Sequence, residues 1–157
     1  MAQQTFDLYR RITRLPAGKR IFSLLYSLKA PYFATVRPNV REVRANYAEV
    51  SISNRRRVHN HIGTVHAIAV CNGLEAVMGL LAEATCPADK RWLPRGLSVT
   101  YPANSTTDLL CIAETDPSDW ADTPGDVDIR VKAVRTDGVV VVEGVIPVYV
   151  SMKPARK

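Results

Sequence analysis

The chain has 157 residues, 46% hydrophobic and 23% charged, with a formal net charge of +6. That length suits one domain, and an apolar fraction this high excludes a disordered chain. Three cysteines, Cys71, Cys86 and Cys111, fall in no Cys-x-x-Cys or Cys/His spacing, which argues against a disulfide framework and a zinc site and leads to the expectation of a reducing, cytoplasmic setting.

Asp7 and the arginines spread through the first twenty residues do not fit a secretory signal. The positive balance suits anionic partners. The charges are scattered, however, from Arg10-Arg11 to the tail Lys153, Arg156 and Lys157, without a recognition helix or an aromatic RNA-binding strand, so nucleic acid is not an expected partner.

Residues 3–15 place Phe6, Tyr9, Ile12 and Leu15 three apart, the spacing of a short amphipathic helix that Pro16 ends. Residues 17–28 set Ile21, Leu24, Leu25 and Leu28 on one stripe of a second helix, closed by Ala30-Pro31. That stripe is expected to pack on the domain or on a partner subunit, with a lipid surface as the alternative. From Phe33 to Ile52 the pattern is extended, and Ala48, Val50 and Ile52 alternate with polar residues as a half-buried strand.

Residues 60–84 are the centre of the chain. A polar loop with His61 and His66 leads into a long apolar run carrying Glu75. Asn72, Gly73, Glu75, Gly79 and Glu83 interrupt the run, so it reads as a buried core helix rather than a membrane span. Thr64 is the expected N-cap, with Gly63 permitting the loop before it. The first helical amides, near His66 and Ala67, are then free to hold an oxygen that becomes negative. Glu75 has mainly small or apolar helical neighbours, and burial there would raise its pKa. It fits either a general base or nucleophile, or a structural acid paired at an interface. His61 could pair with Glu75 as acid and base, although for either histidine alone a structural role is expected. His59 is expected at the surface, and Cys71 as core filler.

After the helix, Cys86 to Lys90 reads as a break. Strands are expected at Leu97–Tyr101, Leu109–Ala113, Val127–Ala133 and Val139–Val150, with a hairpin turn at Asp137-Gly138 and an edge or bulge at Pro147. One long helix followed by a meander predicts a single α+β domain over 1–157: a helical extension, 1–30, and a core, about 33–152, in which an antiparallel sheet curls around the helix. One sheet covers only part of such a helix, so a homo-oligomer is expected.

The stretch Asn60, Gly63-Thr64-Val65-His66 and Glu75, followed by Val99-Thr100-Tyr101-Pro102-Ala103, resembles the hotdog-fold acyl-CoA thioesterases of the phenylacetate-pathway (PaaI-type) group. The resemblance covers about 45–150 and is sharpest over 60–75. It implies the hotdog fold, homodimers or dimers of dimers with sites at the interface, and hydrolysis of acyl-CoA to acid and CoA without a further cofactor or metal. By position it makes Glu75 base or nucleophile and the Ala67 amide an oxyanion donor. Asn60 would position water or carbonyl, and His66 would support the loop. Ala67-Ile68 stand where the family has two glycines, which narrows the backbone approach. The family's Ser or Thr near the acid has no counterpart in Arg91-Trp92-Leu93.

CoA phosphates call for basic side chains. Arg55, Arg56, Arg57 and Arg91, with Lys90 and Arg95, are the candidates, and Gly63, Thr64 and His61 border the same site. Two other readings remain: a non-catalytic acyl-CoA-binding module, suggested by Ala67-Ile68, and a 3-hydroxyacyl dehydratase or hydratase pairing His61 with Glu75.

Overall fold

A computed structural model describes residues 2–154; Arg156 and Lys157 lie outside them. Helices α1 (Ala2–Ile12) and α2 (Gly18–Lys29) precede a 3-10 turn at Pro31–Thr35. Strands β1 (Asn39–Arg44) and β2 (Tyr47–Ile52) lead through the 58–66 loop into the long helix α3 (Ala67–Thr85). Then come β3 (Lys90–Pro94), β4 (Ser98–Thr100), β5 (Leu109–Glu114), β6 (Gly125–Arg135) and β7 (Val140–Met152). All strand pairs are antiparallel, in the order β1-β2-β5-β6-β7-β3, with β4 also on β7. The α+β hotdog architecture expected from the sequence is the one observed: a curved sheet around a central helix.

The sheet's inner residues supply the core because strand side chains alternate. Ala48, Val50 and Ile52 of β2, Cys111 and Ala113 of β5, and Ile129, Val131 and Ala133 of β6 are all buried. Against them α3 sets Val70, Leu74, Val77 and Leu81, each fully enclosed. Gly73 permits the closest approach, since a Cβ there would lie 2.9 Å from Cys111 Sγ and 3.3 Å from Ile52.

Four expectations change. Residues 90–94, where the sequence shows no strand, form β3, because their register with β7 (Lys90 opposite Met152, Trp92 opposite Val150) covers that strand. Residues 39–44 are a separate strand, joined to β2 by a turn through Asn46 at φ 63°. Pro147 is neither at an edge nor in a bulge. It lies inside β7 opposite Asp128, where β3 gives way to β4, so its missing N–H leaves no gap, and its carbonyl accepts from Arg95 N at 2.9 Å. The irregularity of this hairpin falls instead at Ala133/Val134.

The fourth concerns α2: of the two covers expected for its stripe, the domain and a partner subunit, the domain is not one. The stripe of Ile21, Leu24, Leu25 and Leu28 faces outward, with Leu24 61% and Leu28 66% exposed. The domain takes the other face: Phe22, Ser23, Tyr26 and Ser27 are buried. Two hydrogen bonds select it, Val40 N to Ser23 Oγ at 2.8 Å and Tyr26 OH to the Ala76 carbonyl at 2.9 Å. Aromatic packing of Tyr9 on Phe22 and of Tyr26 on Phe33 completes the seat. Periodicity alone favours the longer aliphatic stripe.

Candidate functional site

The loop entering α3 is built by Asn60. Its Oδ1 accepts from the amides of Ile62 and Thr64, both at 3.1 Å, and its Nδ2 donates to Thr64 Oγ1 at 2.8 Å. Gly63 supplies the left-handed residue the turn requires, at φ 82°. The ends are fixed by His66 N to the Val58 carbonyl at 2.8 Å and Val65 N to the Ser105 carbonyl at 2.9 Å. His59 is half-buried rather than fully exposed and bonds Asn54. His61 is exposed, and no hydrogen bond or ion pair joins it to Glu75 among the described residues.

Thr64 is not the N-cap, because its hydroxyl is spent on Asn60. His66 takes that position with extended backbone, and its Nδ1 accepts from the Ile68 amide at 3.0 Å. The proton of a neutral ring is therefore on Nε2. The Ala67 amide, at the first helical position, and the Ala69 amide have no partner among the described residues, so two donors at the positive end of α3 are free.

Beyond this start, one side of α3 is left uncovered. Ile68 is 57% exposed, Cys71 half-buried and Glu75 exposed, the i, i+3, i+7 positions of one stripe. Glu75 is thus not the buried acid that its apolar helix suggested. Tyr101, just past the end of β4, lies alongside, with its OH 3.3 Å from Cys71 Sγ. Cys71 is accordingly a groove residue rather than core filler, and the hydrogen bond raises the Tyr101 pKa. Tyr101, at Cys71, and Leu93, beside Glu75, are exposed apolar residues next to the stripe. Asn72 turns inward instead, donating to Thr35 Oγ1 at 2.8 Å and the Tyr32 carbonyl at 3.2 Å, which ties the 31–35 turn to α3.

Glu75 borders a cavity of about 360 Å³ walled by Tyr26, Phe33, Met78, Gly79, Trp92 and Leu93. Its far end is polar: Thr5 of α1, Lys29 of α2 and Glu83 of α3, with Lys29 Nζ on Thr5 Oγ1 at 2.9 Å. Glu83 has a pKa displaced from its ordinary value. Burial raises it, against the pull of Thr5 and Lys29, and its Oε2 is buried without a partner among the described residues. Glu83 escaped sequence reasoning because its cover, α1, is distant in the chain; the spacing Glu75/Glu83, eight residues on one helix face, was the available signal. Burial also pushes the Cys111 thiol up to about 12, so it is an inert core group.

The arginines separate. Arg55 donates to the Thr35 carbonyl at 3.2 Å, and Arg57 lines a groove beside α2. Arg56 is exposed, and Arg91 bonds Ser151 across the β3–β7 pair at 3.2 Å. Among the described residues no group of His, Cys, Asp and Glu is arranged to hold a metal ion.

Comparisons place the fold among known structures. The structural-genomics protein APC5556 is 39% identical, with 97% of this chain and 99% of that one covered at a TM-score of 0.83. PA5026 from Pseudomonas aeruginosa, described as a probable thioesterase, is 16% identical over 88% of this chain and 97% of its own, at a TM-score of 0.74. smu.793 from Streptococcus mutans, solved bound to acetyl-CoA, is 15% identical over 76% and 91%, at a TM-score of 0.64. No curated protein matches significantly. The fold is that of the thioesterase-superfamily hotdog proteins. Residues 18–150 match the model of the domain of unknown function DUF4442, and the chain belongs to that family.

Proposed function

We propose that the protein hydrolyses an acyl-CoA thioester to a free acid and CoA, with Glu75 as general base or nucleophile and the Ala67 amide as oxyanion donor. The observation that carries this reading is the pairing, on the one open stripe of α3, of an exposed carboxylate with an unspent amide at the helix start. The cavity beside Glu75 suits an acyl group, being apolar along its walls. Asn60 and His66 act by shaping the loop, since their side chains are committed to it. The acetyl-CoA held by smu.793 supports the ligand class.

Geometry adds a condition. Ala67 and Glu75 are eight residues apart, about 12 Å along a helix axis at 1.5 Å per residue. A carbonyl bonded to the Ala67 amide is therefore beyond direct attack from Glu75 of the same helix. A twofold-related copy laid over the open stripe would bring Glu75 of the partner subunit to that amide and would cover Ile68, Leu93 and Tyr101. We infer a homodimer, alone or within a dimer of dimers, with composite sites.

An acyl-CoA panel of varied chain length, read by thiol release beside Glu75→Ala, tests the activity. Turnover that disappears in Glu75→Ala supports it; a panel with no turnover above that variant sinks it. Acyl-CoA binding without turnover would instead support the non-catalytic module. The dehydratase reading gains no support from the protomer, in which His61 and Glu75 make no ion pair among the described residues.

A further inference from the structure

On the other side of the 31–35 turn from the Glu75 cavity lies a second groove, of about 670 Å³. Phe33 and Ala30 face the first cavity, whereas Pro31, Ala34 and Thr35 face the second. Arg20 of α2, Arg37 and Arg57 line it together with the outward-facing Leu24 and Leu28.

The charge arrangement is uncompensated. No Asp or Glu occurs between Asp7 and Glu42. Arg20, Arg37, Arg55 and Arg57 make no ion pair among the described residues. Arg55 donates to the carbonyl of Thr35, a lining residue, and its Nε is buried without a partner among the described residues. Burial, then the nearby Arg37 and Arg57, pulls the Arg55 guanidinium below its ordinary value. Arg37 is held at φ 51°, a left-handed conformation that non-glycine residues seldom adopt. Crowding guanidinium groups without a counter-charge is unfavourable until an anion with several acceptor oxygens arrives.

We propose that this groove binds the phosphates of the CoA nucleotide, with Arg20, Arg37 and Arg57 as the contacting residues and Leu24 and Leu28 flanking the adenosine. The assignment of CoA rests on the thioesterase reading. The pantetheine arm then crosses the 31–35 turn, a width of about 10 Å for five residues of 3-10 helix, from the phosphates to the thioester beside α3. Arg91, on β3, has no part in this site.

The test is calorimetric binding of CoA, dephospho-CoA and 3′,5′-ADP to the full chain, to Arg37→Gln/Arg57→Gln and to Arg91→Gln. Thermal melts confirm that the variants fold. The expected result is that CoA binds the wild-type chain, that 3′,5′-ADP competes with it, and that the double arginine variant weakens CoA by about tenfold or more, as losing charge-assisted bonds to phosphate should. Arg91→Gln, on β3 away from the groove, should bind CoA as the wild type does. Unchanged CoA affinity in the arginine variant overturns the site while leaving the hydrolase reading intact. Arg-dependent binding of ADP by a chain that neither binds nor hydrolyses acyl-CoA overturns the CoA assignment and that reading together. Arg-dependent binding to phosphatidylglycerol vesicles, without competition by CoA, overturns the proposal in favour of a lipid surface.

Discussion

Glu75 and Glu83 stand eight residues apart on the same side of α3, and their surroundings are opposite. Glu75 is exposed on a stripe that no other element among the described residues covers. Glu83 lies under α1, half-enclosed by Thr5, Lys29 and Trp92, with one oxygen buried and unpartnered. An acid's neighbours along a helix therefore do not decide its solvation; what decides it is which stretch of the helix the rest of the fold covers. Glu75 is free to meet a substrate, whereas Glu83 shapes the closed end of the cavity.

The contrast breaks most sharply under substitution. Glu75→Gln should lower thioester hydrolysis by roughly 10²–10⁴-fold, the usual worth of a positioned base, while leaving the melting temperature of the fold unchanged because the side chain is exposed. Glu83→Gln should leave turnover within about tenfold, since on this reading it takes no proton from the reaction. Steady-state rates beside melting curves for both variants separate the two acids. Equal loss of rate in the two would mean that both belong to the reacting centre.

Stability sharpens the same contrast between the covered and open sides of α3. Gly73→Ala should cost about 1–3 kcal/mol by overpacking, because its Cβ would press on Cys111 Sγ at 2.9 Å. Tyr26→Phe should cost about 1 kcal/mol for the lost buried hydrogen bond to Ala76. Ile68→Ala, on the open side, should cost less than either to the fold of the protomer and should act on dimer dissociation instead. Denaturant titrations at two protein concentrations distinguish these outcomes.

The smallest effect is one of pH. Burial raises the Glu83 pKa above its ordinary 4.5, so the folded state holds that proton more tightly than the unfolded chain. Stability from this group is therefore greatest below 4.5 and falls as pH rises through that value toward the higher folded one, beyond which the loss is complete. Glu83→Gln should remove this dependence. Its melting temperature should gain on the wild type as pH goes from about 4 to 7, by a few degrees or less. An unchanged difference across that range would show Glu83 to be solvated as Glu75 is.

Most of the fold was legible because the strongest signals are local. The alternation in 127–133, the Asp137-Gly138 turn and the length of the apolar run at 67–85 each dictate an element without reference to distant residues. The errors came where tertiary partners decide. The leucine stripe of α2 looks like a core face, yet Ser23 and Tyr26 have partners in β1 and α3, and they turn the helix the other way. Residues 90–94 lack a strand pattern of their own and are ordered by β7. Thr64 is a better cap than His66 by residue type, but Asn60 claims its hydroxyl. At the candidate site, the positions of Glu75 and Ala67 on α3 could be read from spacing, whereas the openness of their stripe, Glu83's enclosure and the grouping of Arg20 and Arg37 with Arg57 required the assembled fold.

The composite site is tested most directly by mixing two inactive variants. Ala67→Pro removes the amide donor at the first helical position, where proline fits, and His66 already has the extended backbone that a following proline requires. Each of Ala67→Pro and Glu75→Gln alone should release little thiol from acyl-CoA. Dissociated and reassociated together, they should form mixed dimers in which one site keeps both an intact carboxylate and an intact amide, and activity should return. No recovery from a mixture shown to contain mixed dimers, or wild-type turnover in either variant alone, would contradict a site that joins Glu75 of one subunit to the Ala67 amide of the other.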